Sequence, residues 1–228
     1  MTTFNINQRF NFLQDLTSMV VTGTTPSLIV VGEGGLGKTH TVTETIKELN
    51  LDDNEWVTFK GYSTARGLYN TLFDHNGKLI VFDDCDSVLE DKVALNILKS
   101  ALDSYETRQI SWMAKMTKSD EYPSQFNFTG RVIFISNKDR SKIDGAILSR
   151  SLTVDLSMTP QEKIERMSFI LTRILPQFPI DVKADALNFL DQNKDSAQLN
   201  LRTLIMVSKI RRQFPDTWQD LATYMIQS

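Results

Sequence analysis

A glycine-rich segment followed by lysine and threonine carries the clearest chemistry in this sequence. Residues 32–39 read Gly-Glu-Gly-Gly-Leu-Gly-Lys-Thr, between an apolar run at 28–31 and a helix-like stretch at 42–49. Glycine, four residues and then Gly-Lys-Thr, placed between a strand and a helix, is the pattern of a phosphate-binding loop. Glycines let successive backbone N–H groups converge on phosphate oxygens at the positive end of the following helix. The segment predicts a nucleoside triphosphate site, against the alternative of a glycine-rich strand–helix turn.

Individual side chains of this segment have predicted roles toward ATP and Mg²⁺. Lys38 would reach the β- and γ-phosphates, and the Thr39 hydroxyl would ligate Mg²⁺. His40 is a polar helix position that could also lie near the nucleotide base. The residues predicted to bind the nucleotide are Gly32, Glu33, Gly34, Gly35, Leu36, Gly37, Lys38, Thr39 and His40.

Two carboxylates follow a second apolar run, at 79–82. An open α/β sheet places its ligand site at the carboxyl ends of its strands, and Asp83 and Asp84 come at such an end. Asp83 would hold Mg²⁺, largely through water, and Asp84 would orient or deprotonate the attacking water. The alternative is a strand that runs into an acidic turn. The phosphate-binding loop earlier in the chain favours the metal site.

A third apolar run, at 133–135, leads to Ser136 and Asn137. The Asn137 amide could hydrogen-bond the attacking water or the γ-phosphate. Asparagine is also a common turn residue at the ends of strands, so a purely structural role is the alternative.

Composition limits the classes of function. The chain has 228 residues, of which 41% are hydrophobic and 23% charged, as in ordinary soluble proteins. Apolar runs too short to span a membrane, and an amino-terminal segment without a signal pattern, predict a cytoplasmic protein. One cysteine, Cys85, excludes an internal disulfide, and with only two histidines the usual kind of zinc site is excluded too. A net charge of −3 gives no global basic field, so any contact with nucleic acid must be local.

The elements that position these residues alternate between strand and helix. Strand-like runs occur at 28–31, 56–59, 79–82, 132–135 and 152–156, with helical stretches at 38–50, 64–74, 88–104 and 142–149. This alternation predicts an α/β fold with a parallel sheet covered on both faces. After residue 157 only helical patterns follow, at about 160–175, 181–192, 200–213 and 215–226. We therefore predict an N-terminal helix and linker at 1–26, an α/β nucleotide-binding core at 27–157 and a helical lid at 158–228.

A segment at 105–130 separates the helical stretch at 88–104 from the third apolar run. Residues 108–113 and 125–128 could form the arms of a hairpin, with its tip at 114–123. Lys115 and Lys118 in that tip could touch the phosphate backbone of DNA. The alternative is a solvated loop.

Together these features resemble the AAA+ ATPase family over nearly the whole chain. The matching parts are the Walker A segment at 32–39, the Walker B segment at 79–84, Asn137 as sensor one, and the helical lid. The resemblance implies a five-stranded parallel P-loop sheet of the ASCE/AAA+ kind, sandwiched by helices and followed by a small lid. The hairpin is similar to the one that precedes sensor one in many ring-shaped helicases and unfoldases.

The resemblance also assigns roles to arginines. Ser149 and Arg150 precede the fifth strand, where clamp loaders and related members carry the arginine finger that reaches a neighbouring subunit's ATP. By its position, Arg150 would have that role, and Arg140 is the alternative candidate. The stretch at 199–204 is similar to the sensor-two motif, with Asn200 as helix cap and Arg202 in the first turn.

The function implied by the resemblance is that of an oligomeric ATPase, a hexameric ring or similar, that does work on DNA. It would be a helicase-like motor or a loader in replication or recombination, with a replication protein as a further partner. The sequence is also similar to small ATPases of phages and other mobile elements. Most members have glutamate where this chain has Asp84, and the shorter side chain predicts slow hydrolysis without a partner. A protein-remodelling unfoldase or chaperone, and a monomeric P-loop kinase or switch, are the alternatives.

Overall fold

The structure, a computed structural model, describes residues 4–61, 63–105, 108–112, 122–195 and 198–227. The chain forms two compact units. The α/β unit consists of Phe10–Glu33 and Lys38–Leu156, and the helical unit consists of Met1–Arg9, Gly34–Gly37 and Ser157–Ser228.

Five parallel strands form the main sheet of the α/β unit. In chain order the strands are β1 Ser27–Val31, β2 Trp56–Lys60, β3 Leu79–Asp83, the hairpin strands β4 Arg108–Ser111 and β5 Gln125–Phe128, β6 Arg131–Ile135 and β7 Leu152–Asp155. The order across the main sheet is β2-β3-β6-β1-β7, with all neighbours parallel. Strands β1 and β3 are buried along their whole length, as expected for strands covered on both faces. The predicted α/β fold is confirmed, and the carboxyl ends of β3, β6 and β1 lie side by side.

The helices before residue 157 differ from the predicted ones mainly at their ends. They are α1 Ile6–Val21, α2 Lys38–Glu48, α3 Ala65–Asp74, α4 Lys92–Ala101 and α5 Gly145–Leu148. Helix α4 begins later than predicted because the Asp91 carboxylate caps it, accepting hydrogen bonds from the N–H groups of Val93 and Ala94. Asp144 caps α5 by accepting a hydrogen bond from the N–H of Ala146, so that helix begins at Gly145 rather than at residue 142.

The predicted hairpin arms pair with each other. Strands β4 and β5 are antiparallel and form a sheet of their own. Lys115 and Lys118, which we placed at its tip, lie outside the described residues.

Arg108 fixes the base of this hairpin to the core. Its buried guanidinium donates hydrogen bonds to the carbonyl oxygens of Ala101, at 3.0 Å, and Gly130, at 2.8 Å, and lies 5.1 Å from the centre of the Phe128 ring. Ala101 ends α4, so the positive charge also faces the negative end of that helix. Arg108 therefore fixes the point at which the hairpin strands leave the α/β unit.

Four helices make up most of the helical unit. They are α6 Pro160–Ile170, α7 Ile180–Gln192, α8 Leu201–Gln213 and α9 Trp218–Gln227. Thr159 caps α6, Pro160 begins it, and Glu162 completes a capping box. Within this unit, the Arg9 guanidinium lies 2.5 Å from the Glu162 carboxylate and donates a hydrogen bond of 2.7 Å to the Ser157 carbonyl oxygen.

Helix length is limited throughout the described ranges. The longest helix there, α1, has 16 residues and so spans about 24 Å. None of the described helices is long and apolar enough to cross a membrane.

Candidate functional site

The glycine-rich loop has the backbone conformation that its sequence predicts. Gly35 has a φ angle of 78° and Gly37 one of 100°, in the left-handed region that disfavours other residues. Within the helical unit, the Gly35 carbonyl oxygen accepts a hydrogen bond of 2.8 Å from the N–H of Leu201, at the start of α8. A Cβ atom on Gly35 would lie only 3.1 Å from that of Asn200. The dihedral angle thus favours glycine at position 35, and a side chain there would crowd Asn200.

Lys38 begins α2, and its ammonium group is held among oxygen atoms. Its Nζ donates hydrogen bonds to the carbonyl oxygens of Gly32, at 2.6 Å, and Glu33, at 2.8 Å, and to Oδ1 of Asn137, at 2.9 Å. Burial lowers the pKa of Lys38 from its ordinary value, and the nearby carboxylate of Asp84 opposes that shift. This ammonium is well placed to exchange its acceptors for phosphate oxygens.

Asp83 has a partner on each carboxylate oxygen. The Thr39 hydroxyl donates to Oδ1 at 2.8 Å, and the Lys60 ammonium lies 2.9 Å from Oδ2. Asp83 is 3% exposed, and Lys60 ends β2 directly opposite it in the sheet register. The two residues that we predicted to bind metal are therefore in direct contact.

Thr39 and Asp83 fit a magnesium ion by the chemistry of their donors. Hydroxyl and carboxylate oxygens suit Mg²⁺, which takes few protein ligands and completes its shell with water and phosphate. Among the described residues there is no cluster of three or more His, Cys, Asp or Glu side chains that could hold a metal ion.

Asn137 connects Lys38 to Asp84. Its Nδ2 donates to Asp84 Oδ1 at 2.5 Å, while its Oδ1 accepts from Lys38. The orientation of the amide follows from its partners, since a carboxylate only accepts hydrogen bonds and an ammonium only donates them. Asp84 has a φ angle of 57°, a left-handed conformation that is unusual outside glycine and is often found at functional sites.

The two arginines proposed as fingers differ in their surroundings. Arg150 is held inside its own chain: its Nε lies 3.3 Å from the Asp103 carboxylate, and a terminal nitrogen donates to the Ala146 carbonyl oxygen at 2.9 Å. Arg140 is exposed, and among the described residues its side chain makes no hydrogen bond or ion pair. Among the described residues, neither arginine forms a hydrogen bond or ion pair with Lys38, Asp84 or Asn137, and the assignment of a finger remains a prediction.

Two further predicted residues are exposed. Arg202 lies in the first turn of α8, where Asn200 caps the helix by accepting a hydrogen bond of 3.0 Å from the N–H of Thr203, as predicted. His40 lies in the first turn of α2. Their roles toward a nucleotide remain predictions.

Cys85 follows Asp84 and is buried. Burial raises the pKa of its thiol to about 11, so the thiolate needed for a nucleophile or a metal ligand is scarce at neutral pH. The cysteine is a structural neighbour of the site.

Comparison with solved structures finds a protein with a similar fold. A Thermotoga maritima RuvB carrying an arginine-to-alanine substitution superimposes with a TM-score of 0.51 and 14% sequence identity. The likeness shows a shared fold. It covers 89% of this chain but only 61% of the RuvB chain, so this chain spans less than two thirds of that protein.

Sequence comparison finds a similar phage protein but no matching family model. An uncharacterized 36.7 kDa protein of Enterobacteria phage T4, from the nrdC–mobD intergenic region, is 28% identical over 239 residues, covering 96% of this chain and 73% of the relative. No family model matches the chain. The phage relative has no stated function.

Lys60 is the site residue that sequence reasoning missed. A lysine at the end of β2 becomes significant only when β2 is known to pair with β3, because that pairing sets it opposite Asp83. The sequence predicts a parallel sheet but not its strand order, so it does not show that β2 pairs with β3.

Proposed function

We propose that this protein is a magnesium-dependent ATPase that works on DNA as an oligomer. The observation that carries the ATPase proposal is the continuous contact Lys38–Asn137–Asp84 beside the Thr39–Asp83 pair. Groups suited to phosphate, metal and water thus meet at one edge of the sheet, and Lys38 and Thr39 belong to the glycine-rich segment whose sequence predicts phosphate binding.

Each of these side chains has a distinct part in hydrolysis. Lys38 would neutralise the β- and γ-phosphates, and Asn137 would turn its amide from Lys38 toward the γ-phosphate or the attacking water. Asp84, on the other side of that amide, would orient the water and accept its proton. Mg²⁺, held by Thr39 and Asp83, would supply charge neutralisation on the phosphate oxygens. The tight Asp84–Asn137 contact supports a role in which base and amide act on the same water.

Support for DNA as the substrate is separate from support for ATP. It comes from the resemblance to AAA+ helicases and loaders, from the shared fold with RuvB, and from a hairpin fixed to the core by Arg108. A hairpin with a fixed base can transmit force to a strand that its tip contacts.

We expect DNA to stimulate ATP hydrolysis at least threefold, because lysines at the hairpin tip would bind its phosphates. Replacing both Lys115 and Lys118 by alanine should remove the stimulation and lower the slope of log affinity against log salt by about 2. The measurement is steady-state hydrolysis with single- and double-stranded DNA over a range of salt concentrations. Lys47→Ala, which removes an exposed lysine of α2, is the control and should respond to DNA like the parent.

Other outcomes of that experiment reassign the substrate. Hydrolysis that ignores DNA but rises with an unfolded polypeptide would support the remodelling alternative. Turnover per subunit that is independent of both DNA and protein concentration would support a monomeric kinase or switch.

We expect Arg150→Ala to bind ATP normally and to hydrolyse it at least tenfold more slowly. Asp103 and Ala146 orient the Arg150 guanidinium in advance, and an oriented arginine loses less freedom when it binds a neighbouring subunit's phosphate. Arginine fingers contribute about 10³–10⁵ in rate in well-studied GTPases, so a small part of that effect is measurable. Mixing Arg150→Ala with Lys38→Ala should restore activity, because Arg150 of the second variant can serve the intact site of the first.

Arg140→Ala is the matched comparison for this experiment, and we expect it to keep at least a third of the parental rate. A large loss in Arg140→Ala with none in Arg150→Ala would transfer the role to Arg140. Mixed assemblies without any recovery would show that Arg150 acts within its own subunit.

A further inference from the structure

The segment that carries Asn137 is held by side chains on both sides of that residue. Ser136, fully buried, donates from Oγ to Asp86 Oδ1 at 2.6 Å. Lys138 lies 2.5 Å from the Glu90 carboxylate. Both acids lie in the stretch that follows Asp84, so sensor one and the end of β3 are joined by three side-chain contacts.

Of the two contacts on either side of Asn137, the Ser136–Asp86 hydrogen bond is the stronger constraint. The Ser136 hydroxyl also accepts a hydrogen bond of 3.0 Å from the backbone N–H of Lys138, so a single oxygen spans the turn that contains Asn137. The backbone N–H of Ser136 is fixed to β1 by a bond of 2.9 Å to the Val30 carbonyl oxygen. Glu90, in contrast, is largely exposed, and exposed ion pairs contribute little.

We infer that Ser136 and Asp86 are positioning residues for Asn137, and this inference rests on the proposed ATPase function. The hydroxyl closes the turn after β6, and the Asp86 carboxylate orients the hydroxyl. Together they set the Asn137 amide between Lys38 and Asp84, where misplacement by about 1 Å can cost about 10²-fold in rate. The hydrogen bond, rather than the negative charge of Asp86, is what the role requires.

Steady-state ATP hydrolysis tests this role. Ser136→Ala and Asp86→Ala should each lower kcat at least fivefold while the KM for ATP stays within twofold, because Lys38 and the loop still bind the phosphates. Asp86→Asn keeps an oxygen that accepts from Ser136 and should retain at least half of the parental kcat. The double variant Ser136→Ala with Asp86→Ala should be no slower than the slower single variant, since both remove one contact.

The control is Ser208→Ala, which removes a buried hydroxyl that donates to the Leu204 carbonyl oxygen within its own helix, α8. It should leave kcat unchanged. A parental kcat in Ser136→Ala would overturn the inference. Equal losses in Asp86→Asn and Asp86→Ala would show that the charge of Asp86 matters and would also overturn it.

A second readout separates this inference from the proposed function. In protein labelled with ¹⁵N-asparagine, the Asn137 side-chain amide signal is identified by its loss in Asn137→Ala. It should move toward the position of a free amide in Ser136→Ala and Asp86→Ala, and stay in place in Asp86→Asn and Ser208→Ala. An unmoved signal in Ser136→Ala would refute the positioning role whether or not the parent hydrolyses ATP, whereas a parent without hydrolysis would refute only the ATPase proposal.

Discussion

Replacing Lys38 by alanine is expected to weaken ATP binding by about 100-fold or more. The ammonium would make two charge-assisted contacts with the β- and γ-phosphates, and such contacts contribute about 1.5–3 kcal/mol each. About 1.4 kcal/mol corresponds to a factor of ten in affinity, so the loss of both amounts to two orders of magnitude at the least. Titration with a fluorescent ATP analogue measures the change directly.

The control for Lys38→Ala is Lys47→Ala, at the other end of the same helix. Among the described residues, Lys47 pairs with Glu44 alone, on the surface, so its loss should leave nucleotide affinity within twofold of the parent. Thermal unfolding without nucleotide should be followed for both variants, because Lys38 also bonds two carbonyls of its own loop. If folded Lys38→Ala bound ATP as tightly as the parent, the phosphate-binding assignment of this loop would be wrong.

Replacing Asp84 by asparagine is expected to separate binding from hydrolysis. Asparagine accepts the hydrogen bond from Asn137 and tolerates the left-handed backbone at this position, so the site should keep its shape. It cannot take a proton from water, and a general base contributes about 10²–10⁴ in rate. We expect ATP affinity within threefold of the parent and a single-turnover rate lower by about 10² or more.

Asp91→Asn is the matched control, because it removes one carboxylate charge nearby while asparagine still caps α4. It should hydrolyse ATP at the parental rate. Parental turnover in Asp84→Asn would mean that another group accepts the proton.

Local sequence signals predicted most of the fold. The apolar runs predicted all five strands of the main sheet to within about one residue, because strands buried on both faces leave a continuous apolar pattern. The caps Asn200 and Thr159 were predictable for a similar reason, since a cap acts on N–H groups two or three residues away.

Contacts that depend on strand order or on distant segments were not predictable. Lys60 reaches Asp83 because β2 lies next to β3, and Arg150 reaches Asp103 across 47 residues of chain. The Ser136–Asp86 bond likewise needs β6 beside β3. Single residues of common types give no local signal for such pairings.

The left-handed backbone at Asp84 gives a reason for aspartate at a position where most members of the resembled family have glutamate. Among residues with a side chain, aspartate and asparagine adopt this conformation most readily, because their short polar groups can bond locally; glutamate is less suited to it. The missing methylene is compatible with this chain geometry, because the turn itself brings a short carboxylate to within 2.5 Å of Asn137. If Asp84 is the base, the backbone of this turn, more than the length of the side chain, would set how far its carboxylate reaches.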